Sequence, residues 1–133
     1  MKNTTNAQFR ALEAFVPARE IHELDHLGTV GALEAAHELV HIGDVGRECL
    51  VILDGTVLVD REDGTTPIEV GPGEIIGELA LITGAERNAT VTAQTEVTAL
   101  ALHRAEFNAA LADCPHFAKH ALLRAVERLA PTG

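Results

Sequence analysis

The sequence predicts a mainly β fold with flanking α-helices, a β-roll of the jelly-roll or cupin-like double-stranded β-helix kind, and three observations carry that prediction. Between about Thr29 and His103, short runs rich in Val, Leu, Ile and Thr are separated by Gly43-Asp44, Asp54-Gly55, Asp63-Gly64 and Gly71-Pro72-Gly73. Many short strands joined by tight turns favour a closed or double-sheet structure, which removes exposed sheet edges. Outside that span the apolar residues recur at helical spacing on both sides. The 133 residues, 47% hydrophobic and 3% aromatic with no Trp or Tyr, leave room for one domain whose core is built from Val, Leu, Ile and Ala.

Taken in order, residues 1–28 form an N-terminal helical segment. Phe9, Leu12, Phe15 and Val16 keep a helical period, Pro17 interrupts it, and Ile21, Leu24 and Leu27 resume it before Gly28, so two short helices are expected. The β-roll occupies 29–103. Within it, Glu78 to Ile82 reads as a short apolar helix, after which Thr90 to Ala93 and Val97 to Leu102 return to strand character. Residues 104–133 form C-terminal helices: Phe107, Ala110 and Leu111 lie on one that ends near Asp113-Cys114-Pro115. Phe117, Ala121, Leu122, Ala125, Val126 and Leu129 form an apolar stripe on the last.

Composition narrows the function. Twenty acidic residues against ten basic give a formal charge of −10, which repels a polyanion and argues against DNA or RNA as partner. Cys49 and Cys114 have neither CxxC spacing nor a disulfide framework around them and read as buried small hydrophobes. The first residues lack an apolar signal core, and no run approaches the ~18 apolar residues of a membrane span. A cytoplasmic protein without membrane insertion is the expectation.

Two HExxH strings, His22 to His26 and His37 to His41, raise a zinc metallohydrolase as a remote alternative. The first falls on a short helix and the second on a strand-like stretch, where residues four apart stand roughly 13 Å from each other and cannot share a metal. These histidines read as solvated, as do His116 and His120, four apart on the last helix. No metal site, catalytic residue or catalytic cofactor is expected, and the chain reads as a non-enzyme.

The informative chemistry lies in 73–91. Gly73 and Gly77 permit tight turns, Glu78 opens the short helix, and Arg87 follows nine residues later, ahead of an alternating strand. Ile76-Gly77-Glu78-Leu79-Ala80-Leu81 and Arg87, Ala89 and Val91 resemble the phosphate-binding cassette, roughly FGELALxxxxPRxAxV, of cyclic nucleotide-binding domains. Such domains occur in bacterial catabolite activators, cyclic-nucleotide-gated channels and regulatory subunits of cAMP-dependent kinases. Gly43-Asp44, Gly46 and Gly55-Thr56-Val57 resemble that family's first turn and hairpin. Two positions depart from the pattern: Glu86 replaces the usual Pro, and Asn88 replaces the usual Ala, Ser or Thr.

The resemblance implies a sensor for cAMP or cGMP. Arg87 would place a planar fork of donors on the cyclic phosphate, and Glu78 would accept a hydrogen bond from the ribose 2′-hydroxyl. Gly77 keeps side-chain atoms away from the sugar, and the backbone N–H groups of Leu79, Ala80, Asn88 and Ala89 could meet phosphate or ribose oxygens. By the same resemblance the final helix is a lid over the base, with Arg124 and Arg128 as its candidate contacts. Ligand occupancy would then move the helices against an effector protein or fused domain of unknown identity, and a homodimer stays open. The competing reading is a degenerate domain that keeps the fold, binds no nucleotide and uses its surface for protein contacts.

Overall fold

The computed structural model describes residues 7–129. A 3-10 helix at Arg10–Ala14 leads to α1 (Ala18–Leu27), and then come β1 (Thr29–Leu33), β2 (Glu38–Val40), β3 (Glu48–Asp54), β4 (Val57–Asp60), β5 (Ile68–Val70) and β6 (Ile75–Ile76). After these follow α2 (Glu78–Thr83), β7 (Thr90–Ala93), β8 (Val97–His103), α3 (Arg104–Asp113) and α4 (Pro115–Leu129). The strands form two four-stranded antiparallel sheets, ordered β1-β8-β3-β6 and β2-β7-β4-β5. This is the β-roll with flanking helices that the turn spacing predicts.

The central strands β3 and β8 are buried on both faces, and their period of two divides the core. Leu50 and Ile52 of β3, with Val97 and Ala99 of β8, pack against Val40, Val57 and Val91 of the other sheet. The intervening residues, Cys49, Val51, Leu100 and Leu102, point to the opposite side and meet Phe9, Leu12, Leu24, Phe107 and Phe117 from the helices. One apolar layer thus joins the two sheets, and a second joins the helices to the first sheet.

The first residues of α4 receive their cap from α1. Glu20, fully buried, accepts hydrogen bonds from the backbone N–H of His116 (3.0 Å) and Phe117 (2.8 Å) and from the His116 ring (2.7 Å). The two backbone N–H groups are donors that a helix start leaves unpaired, so the N-terminal helix fixes where the final helix begins.

Two expectations for α4 need correction. His120 is buried, not solvated: its ring stacks on Phe15 with centroids 4.1 Å apart, and its Nε2 donates to Gly73 O at 3.0 Å. The apolar stripe is also narrower than the sequence suggests. Phe117, Ala121 and Ala125 are buried, whereas Leu122, Val126 and Leu129 are exposed. At about 100° per residue, the face carrying 117, 121 and 125 also carries 120, 124 and 128. The inward face of α4 is therefore half polar. His120 bonds Gly73 O, Arg124 Nε donates to Glu74 at 2.8 Å, and Arg128 pairs with Glu78, so successive turns of α4 grip the chain between 73 and 78.

Candidate functional site

A cavity of about 620 Å³ opens between the second sheet, α2 and the end of α4. Gly77, Glu78, Leu79, Ala80, Arg87, Asn88 and Ala89, seven residues singled out from the sequence, all line it, and so does Arg128. Arg124 does not: its guanidinium is held by Glu74 and Glu127.

Local backbone geometry explains how the cassette assembles. Gly77 precedes α2 with φ +87°, in the left-handed region that favours glycine, and a Cβ on it would collide with Arg87 Nη1. Arg87 Nη1 instead donates to Gly77 O at 3.1 Å and Nη2 to Glu48 O at 2.7 Å. The backbone of Arg87 is pinned as well, its N–H donating to Asp44 O at 2.8 Å while its carbonyl accepts from the Gly43 N–H at 2.9 Å. Two of the five guanidinium N–H groups are thereby used for orientation, and the rest stay available.

The electrostatics favour an anion beside Arg87. No carboxylate lies within ion-pair distance of it among the described residues. Burial holds its pKa below the ordinary arginine value, against the opposing pull of nearby acidic groups such as Glu48, Asp44 and Glu78. A partly desolvated cation whose charge is opposed by burial gains from an anionic ligand. Beneath it, the Cys49 thiol is pushed far up by burial, with the charge of Glu78 adding to the effect, and stays a protonated hydrophobe. Burial likewise pushes Cys114 up to about 11.

Glu78 is fully buried, and Arg128 Nη1 lies against both of its carboxylate oxygens. Arg61, between β4 and β5, donates from Nη2 to the Arg128 carbonyl at 3.2 Å, which ties the end of α4 to the hairpin across the cavity. Val40, Val59, Ile68 and the cassette's own Val91 add an apolar wall, with Thr65 and Thr66 also lining the cavity. The site thus has a cation, a buried carboxylate and an apolar wall.

Sequence reasoning missed Arg61 and the apolar wall. The wall depends on pairing of β4 with β7, in which Val59 faces Val91, a relation between residues far apart in the chain. Arg61 did leave a signal, as the one basic residue between Asp54 and Val70. The zinc alternative finds no support in the geometry. His22 and His26 are exposed on α1, His37 and His41 flank β2, and among the described residues no group of three or more His, Cys, Asp or Glu could hold a metal ion.

The model of the cyclic nucleotide-binding domain family matches residues 30–114. A cyclic nucleotide-gated potassium channel of Rhizobium etli is 40% identical over 85 residues, which are 64% of this chain and 23% of the channel. The chain thus spans less than a quarter of that relative's length. No helix among the described residues is long and apolar enough to cross a membrane.

Among solved structures, the catabolite activator protein of Thermus thermophilus superposes with a TM-score of 0.75 at 23% identity, covering 90% of this chain and 58% of that one. The regulatory domain of Toxoplasma gondii protein kinase A, solved with cAMP, gives a TM-score of 0.68 at 26% identity over 82% of this chain and 45% of that one. The family match covers more than half of the chain and the fold agrees with it: the chain belongs to the cyclic nucleotide-binding domain family.

Proposed function

We propose that this chain binds a 3′,5′-cyclic nucleotide, cAMP or cGMP, in the cavity beside α2, and that it acts as a non-catalytic sensor whose final helix responds to occupancy. The observation that supports this reading best is Arg87: a partly buried guanidinium, held by two carbonyls, without a carboxylate partner among the described residues, on the wall of a cavity of about 620 Å³. Its remaining donors suit the exocyclic oxygens of a cyclic phosphate.

Glu78 stands in the same cavity as acceptor for the ribose 2′-hydroxyl, and the backbone at Leu79, Ala80, Asn88 and Ala89 supports the sugar-phosphate. The base then falls toward Val59, Val91 and the β4–β5 turn. Arg128 closes the site from α4 by its hold on Glu78, so a ligand that competes for Glu78 shifts the end of that helix. The channel relative and the kinase regulatory domain solved with cAMP support the same ligand class.

Calorimetric titration of the purified protein with cAMP and with cGMP tests the proposal. Saturable one-to-one binding of either is expected. Absence of heat with both at millimolar ligand would favour a scaffold that keeps the fold alone.

A further inference from the structure

We infer that Arg104, the first residue of α3, is a positioning residue for the nucleotide site, an inference that rests on the binding function proposed above. Arg104 does not line the cavity. Its Nη1 donates to Leu81 O at 3.1 Å, in the second half of α2, and its Nη2 donates to Gly46 O, also at 3.1 Å. Its backbone N–H donates to Arg47 O at 3.1 Å.

The next carbonyl along, Glu48 O, receives Arg87 Nη2, while Arg87 Nη1 holds Gly77 O just ahead of α2. Two arginines therefore use three successive carbonyls, those of residues 46 to 48, and tie both ends of the cassette helix to one short segment. There is no slack beneath it. A Cβ on Gly46 would lie 2.6 Å from Ala80 Cβ and 3.3 Å from the Arg87 guanidinium.

A planar guanidinium spans two carbonyls at a fixed spacing, which an ammonium does not. It also places a cation at the carbonyl end of a short helix, where the backbone dipoles are negative. Arg87 is anchored to Glu48 O and Glu78 rides on α2, so the Leu81 to Gly46 distance sets the separation between the two ligand-facing charges. Arg104 fixes that distance without touching the ligand. It also joins α3 to α2, beside the direct contact that α4 makes through Arg128 and Glu78.

The test compares affinities for cAMP and cGMP, with thermal midpoints, across the wild type, R104A, R104K, R87K and the R87K/R104A double variant. Arg104→Ala is expected to weaken binding roughly tenfold, and Arg104→Lys to recover part of the loss. In the Arg87→Lys background, where the two-carbonyl anchor is already gone, the same Arg104→Ala change is expected to cost about threefold or less.

Equal affinity of R104A and wild type, or losses that multiply independently in the double variant, overturn the inference. If R104A does not fold, an R87K/R104K double variant is added, and the loss caused by R104K in the wild-type and R87K backgrounds gives the same decision. Wild-type protein that binds neither nucleotide overturns the proposed function and the inference with it, whereas wild-type binding beside an unaffected R104 variant overturns the inference alone.

Discussion

Arg128 Nη1 reaches both carboxylate oxygens of Glu78, fifty positions earlier in the chain, and lines the cavity from the end of α4. Glu78 is fully buried, so this cation is its compensation. An ionised carboxylate left alone in such a place is costly. Arg128 keeps about a quarter of its side chain exposed, 26%, which reduces the effect. Arg128→Ala is expected to lower stability by about 2 kcal/mol, read as a shift in the denaturant midpoint. No shift would show that Glu78 finds another partner.

The same carboxylate gives a test of ribose recognition. If Glu78 accepts the 2′-hydroxyl, wild-type protein should bind 2′-deoxy-cAMP more weakly than cAMP by roughly tenfold or more. Glu78→Ala should bind the two ligands nearly equally. Discrimination that persists in the variant would assign the 2′-hydroxyl to another group.

Arg87 makes the charge-assisted contacts in the proposed complex, and its geometry is set before ligand arrives by Gly77 O and Glu48 O. Arg87→Ala is expected to cost roughly 1.5 to 3 kcal/mol of binding, about 10- to 100-fold in affinity, by calorimetry. An unchanged affinity would exclude Arg87 from the phosphate contact.

Gly77→Ala probes the backbone beneath that contact. Its φ of +87° costs an alanine roughly 1–2 kcal/mol, and the added Cβ displaces Arg87 Nη1 from the Gly77 carbonyl. Both stability and affinity should fall. A variant that loses stability while keeping full affinity would separate the turn from the site.

Glu20 predicts a pH dependence away from the cavity. Burial pushes its pKa up, but the backbone N–H groups of His116 and Phe117 and the His116 ring outweigh this and hold it below the ordinary carboxylate value. A carboxylate with a folded pKa below its unfolded one stabilises fully above the unfolded value, about 4.3. That contribution is lost as pH falls through the folded pKa. The difference in thermal midpoint between wild type and Glu20→Gln should therefore be largest near neutrality and shrink below about pH 4. A constant difference would leave the carboxylate charge without a role in holding α1 to α4.

The strand-rich middle, the helical ends and the short interruption at α2 were legible because alternation, helical period and Gly/Asp turn signals are local properties. The histidines of both HExxH strings read as solvated from the sequence, since helix or strand context decides whether two imidazoles can meet, and all four are exposed. His120 was misread because its partners, Phe15 and Gly73, are distant in the chain. The exposed Leu122, Val126 and Leu129 were counted with the buried stripe because a helical period defines faces without saying which one is covered.

By itself the sequence determined the β-roll and the spacing that brings Gly77, Glu78 and Arg87 into one cassette, because short strands, turns and one small helix leave little freedom over nineteen residues. Only the tertiary structure decided the partners: Arg128 on Glu78, Arg124 on Glu74, Arg104 on Leu81 and Gly46, and Arg61 at the far wall. Those pairings depend on where the ends of distant helices and strands come to rest. Packing of α4 against α3 and α2, with Glu20 of α1 holding its first turn, fixes where α4 comes to rest, and no local pattern encodes it.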